Sequence, residues 1–181
     1  MRSFVRDTLT IVCIGIIFFL VRTVCVQLLP AFSYDEFFHL LNLPVGISLL
    51  ATVIYGWIAI FGIILGYIFC HIFGGEYTFL ESLNFGIISG FTCYISVLVW
   101  QWHFRINNAF EGLTAHLLVY LALIFAVIST FFRSIYIGSI NPIESLPVIF
   151  FIGIVGDLLG SFADFYMIKG GIHFYKRFVK N

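Results

Sequence analysis

Residues 147–168 read PVIFFIGIVGDLLGSFADFYMI and are long enough to cross a bilayer as one helix. The stretch carries Asp157 near its middle and Asp164 seven residues later. A helix needs about 20 apolar residues to cross a hydrocarbon core of about 30 Å, and an ionised carboxylate at that depth costs several kcal/mol. The spacing of seven puts both acids on one face, close to Gly156 and Gly160, where another helix can approach closely. This pattern predicts a helix that lies inside a bundle.

The composition of the whole chain indicates a membrane protein. Hydrophobic residues make up 61% and charged residues 10% of the 181 residues, and the mean hydropathy is +1.09. Such values exceed those of water-soluble domains. Basic and acidic residues balance at nine each, so no charge excess favours nucleic acid as a partner. The four cysteines fall in apolar runs without paired spacing and are interpreted as small buried hydrophobes: Cys13, Cys25, Cys70 and Cys93.

The apolar runs predict an all-α, polytopic membrane protein with one domain covering residues 1–181. The run 43–73 is too long for one ordinary span and short for two, and Tyr55, Gly56 and Trp57 interrupt it. We therefore predict a compact bundle of about six transmembrane helices, at about 8–29, 43–55, 58–73, 82–102, 114–136 and 147–168.

Basic residues predict the orientation of these helices, because positive charge is enriched in cytoplasmic segments. If six spans alternate, only Arg22 and Arg133 fall towards the outer side. We expect both termini in the cytoplasm of a multi-pass protein in the inner (plasma) membrane. The acidic and aromatic segment 30–42 is then an outer interfacial helix or an aromatic membrane belt. The inner cations are Arg2, Arg6, Arg105, Lys169, Lys176, Arg177 and Lys180.

Glycines spaced four residues apart predict close helix packing in three of the helices. Gly74 and Gly75 are expected to end the third helix, and Glu76 and Glu81 to mark an outer loop before the fourth. The packing steps are Gly62 with Gly66, Gly86 with Gly90, and Gly156 with Gly160.

The candidate site combines Asp157 and Asp164 with Arg22 or Arg133 as the counter-charge, because a charge in hydrocarbon favours pairing. Counted at 1.5 Å per residue, Asp157 lies about 15 Å and Arg22 about 10 Å from the outer ends of their predicted helices. Arg133 lies nearer the outer interface, so depth favours Arg22. Two roles stay open: a buried pair that fixes helix packing, or a site for a ligand, an ion or signal coupling.

The histidines do not predict a metal or haem site. His103 and His116 are expected on the cytoplasmic side and His71 near the outer side, without paired spacing. No catalytic constellation, metal ligand set or cofactor motif is found, so we predict neither an enzyme nor a cofactor.

Three local patterns together resemble the MASE1 family of bacterial membrane sensor domains. They are Leu43-Pro44-Val45-Gly46-Ile47 at a helix start, Gly56, Gly62 and Gly66 in the next helix, and Gly156-Asp157-Leu158-Leu159-Gly160 in the last. The resemblance implies a compact sensor-like or scaffold-like module with Asp157 in the matching acidic position. Members usually precede cytoplasmic output domains and have more helices, and both features are missing here.

Three functions follow as hypotheses. The first is a sensory or interaction module that acts in the lipid bilayer through another membrane or cytoplasmic protein, or as a homo-oligomer. The alternative is a small-solute or ion binding or transport subunit, resembling the membrane subunit of energy-coupling transporters, or an MreD-like scaffold. A membrane enzyme is ranked last.

Overall fold

The computed structural model describes the backbone of residues 2–28, 42–74, 78–106, 114–140 and 146–179. Side chains are described for 4–27, 42–74, 78–106, 114, 116–139 and 147–167. Within these ranges the chain is all-helical, which confirms the predicted fold class. The helices are α1 (Arg2–Leu28), α2 (Leu43–Tyr55), α3 (Ile58–Phe69), α4 (Phe79–Phe104), α5 (Ala115–Ile140) and α6 (Leu146–Val179).

Four of the six helices are long and apolar enough to cross a membrane: α1, α4, α5 and α6. Helix α2 has 13 residues, and α3 continues through a π-helical turn, Cys70–Gly74, into a segment that is also shorter than an ordinary span. The turn between them contains Gly56, whose φ of +61° is a conformation that glycine adopts without strain. The protein is therefore a helical membrane protein in which α2 and α3 form the shorter elements.

Helix α4 begins earlier than predicted. The Thr78 hydroxyl accepts from the Glu81 amide at 3.3 Å, and the Glu81 carboxylate accepts from the Thr78 amide at 2.8 Å, which together form a capping box. The prediction that Glu81 lies in a loop is wrong, because its charge serves the first turn of a helix. Glu76 and Gly75 lie outside the described residues, and Gly74 belongs to the π-helical turn.

Helices α1 and α3 run parallel, and the glycines Gly62 and Gly66 of α3 allow close contact with α1. A Cβ at Gly62 would lie 2.6 Å from Ile14 Cβ, and one at Gly66 would lie 2.6 Å from the Phe18 ring. The paired residue numbers increase together, which defines the parallel direction. The predicted step at Gly62 and Gly66 thus packs against α1 of the same chain.

Helix α4 packs antiparallel to α3 and to α5. Gly86 lies against the Ile64 backbone and Gly90 against Ile60, so the numbers run in opposite directions. On its other side, α4 is joined to α5 by Trp100 Nε1, which donates to the Leu117 carbonyl at 2.8 Å. Near the opposite end, Asn84 Nδ2 donates a hydrogen bond to the Tyr136 hydroxyl at 3.1 Å.

Helix α2 lies at the centre of the bundle and runs parallel to α6. Gly160 lies directly against the Asn42 carbonyl, and Gly46 lies directly against the Asp164 carboxylate. The residue numbers on the two helices increase together, which shows that the helices are parallel. Helix α2 contacts all five other helices, whereas no Cα atom of α1 lies within 8 Å of a Cα atom of α6 among their described residues. A groove with α2 as its floor therefore separates α1 from α6.

We predict that Gly62→Ala destabilises the bundle, because its methyl group would overlap Ile14 on α1. Overpacking of this kind costs about 1–3 kcal/mol of unfolding free energy. The measurement is the thermal midpoint of the detergent-solubilised protein, followed by the monodisperse fraction after heating.

Gly138→Ala is the matched control, since Gly138 is an exposed glycine within helix α5. It should leave the midpoint unchanged or raise it slightly, because alanine favours the helix over glycine. Equal midpoints for both variants would contradict the close contact between α1 and α3.

Candidate functional site

Asp157 lies at the midpoint of the apolar segment Pro147–Met167 and is 1% exposed. Its Oδ2 accepts a hydrogen bond from Arg133 Nη2 of α5 at 2.6 Å, which is also an ion pair. Its Oδ1 accepts from Asn42 Nδ2 at 2.8 Å. Charge-assisted bonds of this length are the strong ones in proteins. Both oxygens of this buried acid therefore have partners, and the partners come from two different helix segments.

Arg133 is held in place by its own surroundings. Nη2 also donates to Ser129 Oγ, one helical turn earlier, at 2.9 Å. The side chains of Arg133 and Asp157 are 7% and 1% exposed, so solvent does not screen the pair. Tyr67 and Arg22 lie close enough to Arg133 to act on it electrostatically. This interior thus holds two arginines near each other, with Asp157 bonded to one of them.

The start of α2 completes the coordination of Asp157. The Asn42 amide donates to the Gly156 carbonyl at 3.2 Å, which places the beginning of α2 at the middle of α6. Pro44 has no amide hydrogen to satisfy, and the Val45 amide returns to the Asn42 carbonyl at 3.2 Å. The positive end of the α2 dipole lies beside the carboxylate and stabilises its charge. A helix start at this depth is tolerated because its polar groups are paired within the protein.

Asn42 was predicted at the outer interface, as the last residue of the segment 30–42. The structure places it at the depth of Asp157, so the prediction is wrong for this residue, and 30–41 lie outside the described residues. Asparagine before a helix usually caps it, but the Asn42 side chain makes no capping bond and donates to Asp157 instead. Asn42 and Pro44 indicate in the sequence that a helix begins here. They do not indicate how deep in the membrane it begins.

The predicted counter-charge was Arg22 or Arg133 with depth favouring Arg22, and the structure provides Arg133. The depth count assumed that the fifth helix ends at residue 136, whereas α5 ends at Ile140. One additional turn buries Arg133 deeply enough to meet Asp157. Arg22 is also buried, at 6% exposure, and its guanidinium carbon lies 5.7 Å from the centroid of the Tyr67 ring, within the range of a cation–π interaction.

Asp164 is the second buried acid and has a different environment. It is 1% exposed, and neither carboxylate oxygen has a hydrogen-bond partner among the described residues. The nearby Ile47 amide does not meet hydrogen-bond geometry. Gly46 leaves the space that the carboxylate occupies against α2, since a side chain there would overlap it. Two acids on one helix face therefore differ completely in how their charge is compensated.

Asp164 lines a cavity of about 310 Å³ between α1, α2 and α6, which we call the Asp164 groove. A second cavity of about 420 Å³ extends along α1 as far as Val5 and Arg6. Both cavities are open at the protein surface, and they share Ile14, Ile17 and Tyr55. The residues of the Asp164 groove are Ile14, Ile17, Ile47, Leu50, Ala51, Tyr55, Asp164 and Met167.

The remaining candidate residues lie outside this groove. Gly156 provides the carbonyl that binds the start of α2. His71 lies in the π-helical turn, and His103 and His116 are exposed at the helix ends on the opposite side. The described residues contain no group of three or more potential metal ligands.

Comparisons with protein-family models, curated proteins and solved structures give no match. The resemblance to MASE1 domains stays a prediction.

We predict that Arg133→Met destabilises the protein strongly, because Asp157 would stay buried without its counter-charge. Removing one partner of a buried pair costs about 3–5 kcal/mol. The double variant Arg133→Met with Asp157→Asn should recover much of this loss, since the amide is neutral and still accepts from Asn42. Thermal midpoints of the three solubilised proteins measure the effect.

Asp164→Leu is the control, because it changes the other buried acid of α6, which has no counter-charge to lose among the described residues. It should leave the midpoint unchanged or raise it, because it removes a buried carboxylate that has no hydrogen bond to lose. A double variant no more stable than Arg133→Met alone would show that the pair does not act as a unit.

Proposed function

We propose that the protein is an integral membrane sensory or interaction module, that the Asp164 groove is its binding site, and that a separate partner protein carries the output. The observation that supports this proposal is the unsatisfied carboxylate of Asp164 on the wall of an open groove. Ionisable residues within membrane segments are costly, and those that are kept there are functional sites by default. An occupant of the groove would give Asp164 the partner that the described chain does not provide.

Asp157 has a structural role in this proposal. Its bonds to Arg133 and Asn42 fix α5 and the start of α2 against α6, and each of its oxygens already accepts a hydrogen bond. Of the two roles that the sequence left open, packing thus suits Asp157 and ligand binding suits Asp164.

The groove also offers a route from binding to output. Helices α1 and α6 flank it, their described Cα atoms stay more than 8 Å apart, and both helices pack on α2. An occupant that contacts both helices would therefore favour one spacing between them over others. A ligand shifts a conformational equilibrium only through such differential contacts.

A photo-crosslinking amino acid at Ile17 tests whether the groove is specifically occupied in cells. Ile17 lies on the rim of the groove and is 48% exposed. We expect a discrete adduct with a protein or small molecule, and we expect Asp164→Leu to reduce its yield at least severalfold.

Phe131 is the matched control position, because it is 51% exposed on α5 and lines neither cavity. Crosslinks to bulk lipid alone, equal at Ile17 and Phe131, would contradict a specific occupant and with it the proposed function.

We further propose that the protein is multi-pass in the plasma membrane with both termini in the cytoplasm. The parallel pairs α1 with α3 and α2 with α6, the antiparallel packing of α4 on α3 and α5, and the positions of Arg6 and Arg105 at the same predicted side support this topology. A C-terminal fusion to a reporter that is active only after export should be inactive, whereas a cytoplasmic reporter should be active. Activity of the exported reporter would overturn the topology.

A solute-binding or transport subunit is the second candidate function. One observation favours it: α2 begins at the middle of the membrane segment, and interrupted helices line substrate sites in many transporters. Solute uptake by proteoliposomes that contain the purified chain alone would favour this candidate over a sensory module.

A further inference from the structure

We infer that the Asp164 groove binds a hydrophobic amine, meaning a protonated amino group attached to a hydrocarbon chain that enters from the bilayer. This inference rests on the proposed function, because it names the ligand class of the same site. Three properties of the groove lead to it: the charge of Asp164, the apolar lining, and the opening at the depth of the apolar segments.

The charge of the site selects a cation with hydrogen-bond donors. Neither Asp164 oxygen accepts a hydrogen bond from a described residue, and both are covered by protein, so an ammonium group that displaces the side chains around the carboxylate would find it free to accept. An ammonium group has three donors and one positive charge, and bonds from ammonium to carboxylate are among the strong ones. The two groups compensate each other in a medium where neither can stay charged alone.

The composition of the lining argues against a bare metal ion. Ca²⁺ takes six to eight oxygen ligands and Mg²⁺ six, whereas the groove provides one carboxylate among aliphatic side chains. The described residues also lack any cluster of metal ligands. A hydrated ion would have to bring its water into a hydrocarbon cavity. One charged group in an otherwise apolar wall instead fits a ligand with one charged end and an apolar body.

The size of the site fits such a ligand. Small-molecule sites usually have about 300–1,000 Å³ and are mainly apolar with a few polar groups. The Asp164 groove has about 310 Å³, and the neighbouring cavity along α1 adds room for a chain. That second cavity is lined by Val5, Leu9 and Cys13 among others, and it joins the groove at Ile14.

The opening of the groove faces the surface that the bilayer covers. Three of its lining residues are large, apolar and about half exposed: Ile17, Tyr55 and Met167. Helix α1 also has the smallest buried share of the four long helices, 22% against 39–44%. A ligand dissolved in the membrane can thus reach the groove beside α1 without crossing water.

Gly46 is a positioning residue for this site. It leaves the space against α2 into which the Asp164 carboxylate fits. A methyl group there would displace the carboxylate without changing any charge. Gly46→Ala therefore tests whether the position of the acid, as well as its charge, determines binding.

The experiment measures equilibrium binding of n-dodecylamine and n-dodecanol to the full chain in phosphatidylcholine nanodiscs, with empty nanodiscs subtracted. The two probes share a chain and differ in the charged end. We expect the amine to bind at least tenfold more tightly than the alcohol. Asp164→Asn should abolish this preference and Gly46→Ala should weaken it severalfold, with both variants still monodisperse.

Asp7→Asn is the matched control, because it makes the same change at a partly exposed acid of α1 that lines neither cavity. It should keep the full preference for the amine. Equal affinity for amine and alcohol, or a preference that survives Asp164→Asn, would overturn the inference.

Two further arms separate the possible sources of the ligand. If nanodiscs that contain phosphatidylethanolamine suppress dodecylamine binding, the amine belongs to a bilayer lipid; if they do not, a free amine is the ligand, and both results support the inference. A protein adduct at Ile17 without any amine preference would replace the ligand by a partner helix, which overturns the inference and leaves the proposed function intact. Lipid crosslinks that are equal at Ile17 and Phe131 and unchanged by Asp164→Leu would remove both.

Discussion

The ion pair between Arg133 and Asp157 at the middle of the membrane segments is the constraint on which the bundle depends. Two opposite charges in hydrocarbon are stable only when they meet each other and when their remaining polar atoms are also bonded. The structure meets this condition with Ser129 on α5 and with Asn42 at the start of α2. Three helices are thereby fixed at one point, and α2 begins there instead of at the membrane surface.

The two acids of α6 show how environment separates residues of identical chemistry. Asp157 faces α5 and the start of α2, where donors converge on it, whereas Asp164 faces Gly46 and the open groove. The seven-residue spacing that puts them on one face also moves Asp164 about 10 Å along the axis, past the helix start that satisfies Asp157. Glycines at both levels allow α2 to lie close enough to α6 for either contact.

Much of the fold could be predicted from the sequence, because hydrophobic runs and Gly56 mark all six helices, although α1 begins about six residues earlier and α6 ends eleven residues later than predicted. The errors arose where contacts between residues distant in sequence determine the position of a side chain. The end of α5 was set too early by four residues, and this made Arg22 the favoured partner of Asp157. Asn42 was assigned to the interface because a polar side chain can be satisfied either by water or by a protein partner. The sequence alone does not distinguish these two cases. The contrast between Asp157 and Asp164 depends on helix rotation and on which helices touch, and a single sequence contains neither.

The start of α2 has a consequence for how the protein is made. Asn42 is synthesised 115 residues before Asp157, its side-chain partner, and its amide bonds to Gly156. Until α6 emerges, the first turn of α2 has no partner at that depth, and unpaired backbone groups are costly in hydrocarbon. The bonds that hold the start of α2 at this depth can therefore form only after residues 156 and 157 have been synthesised.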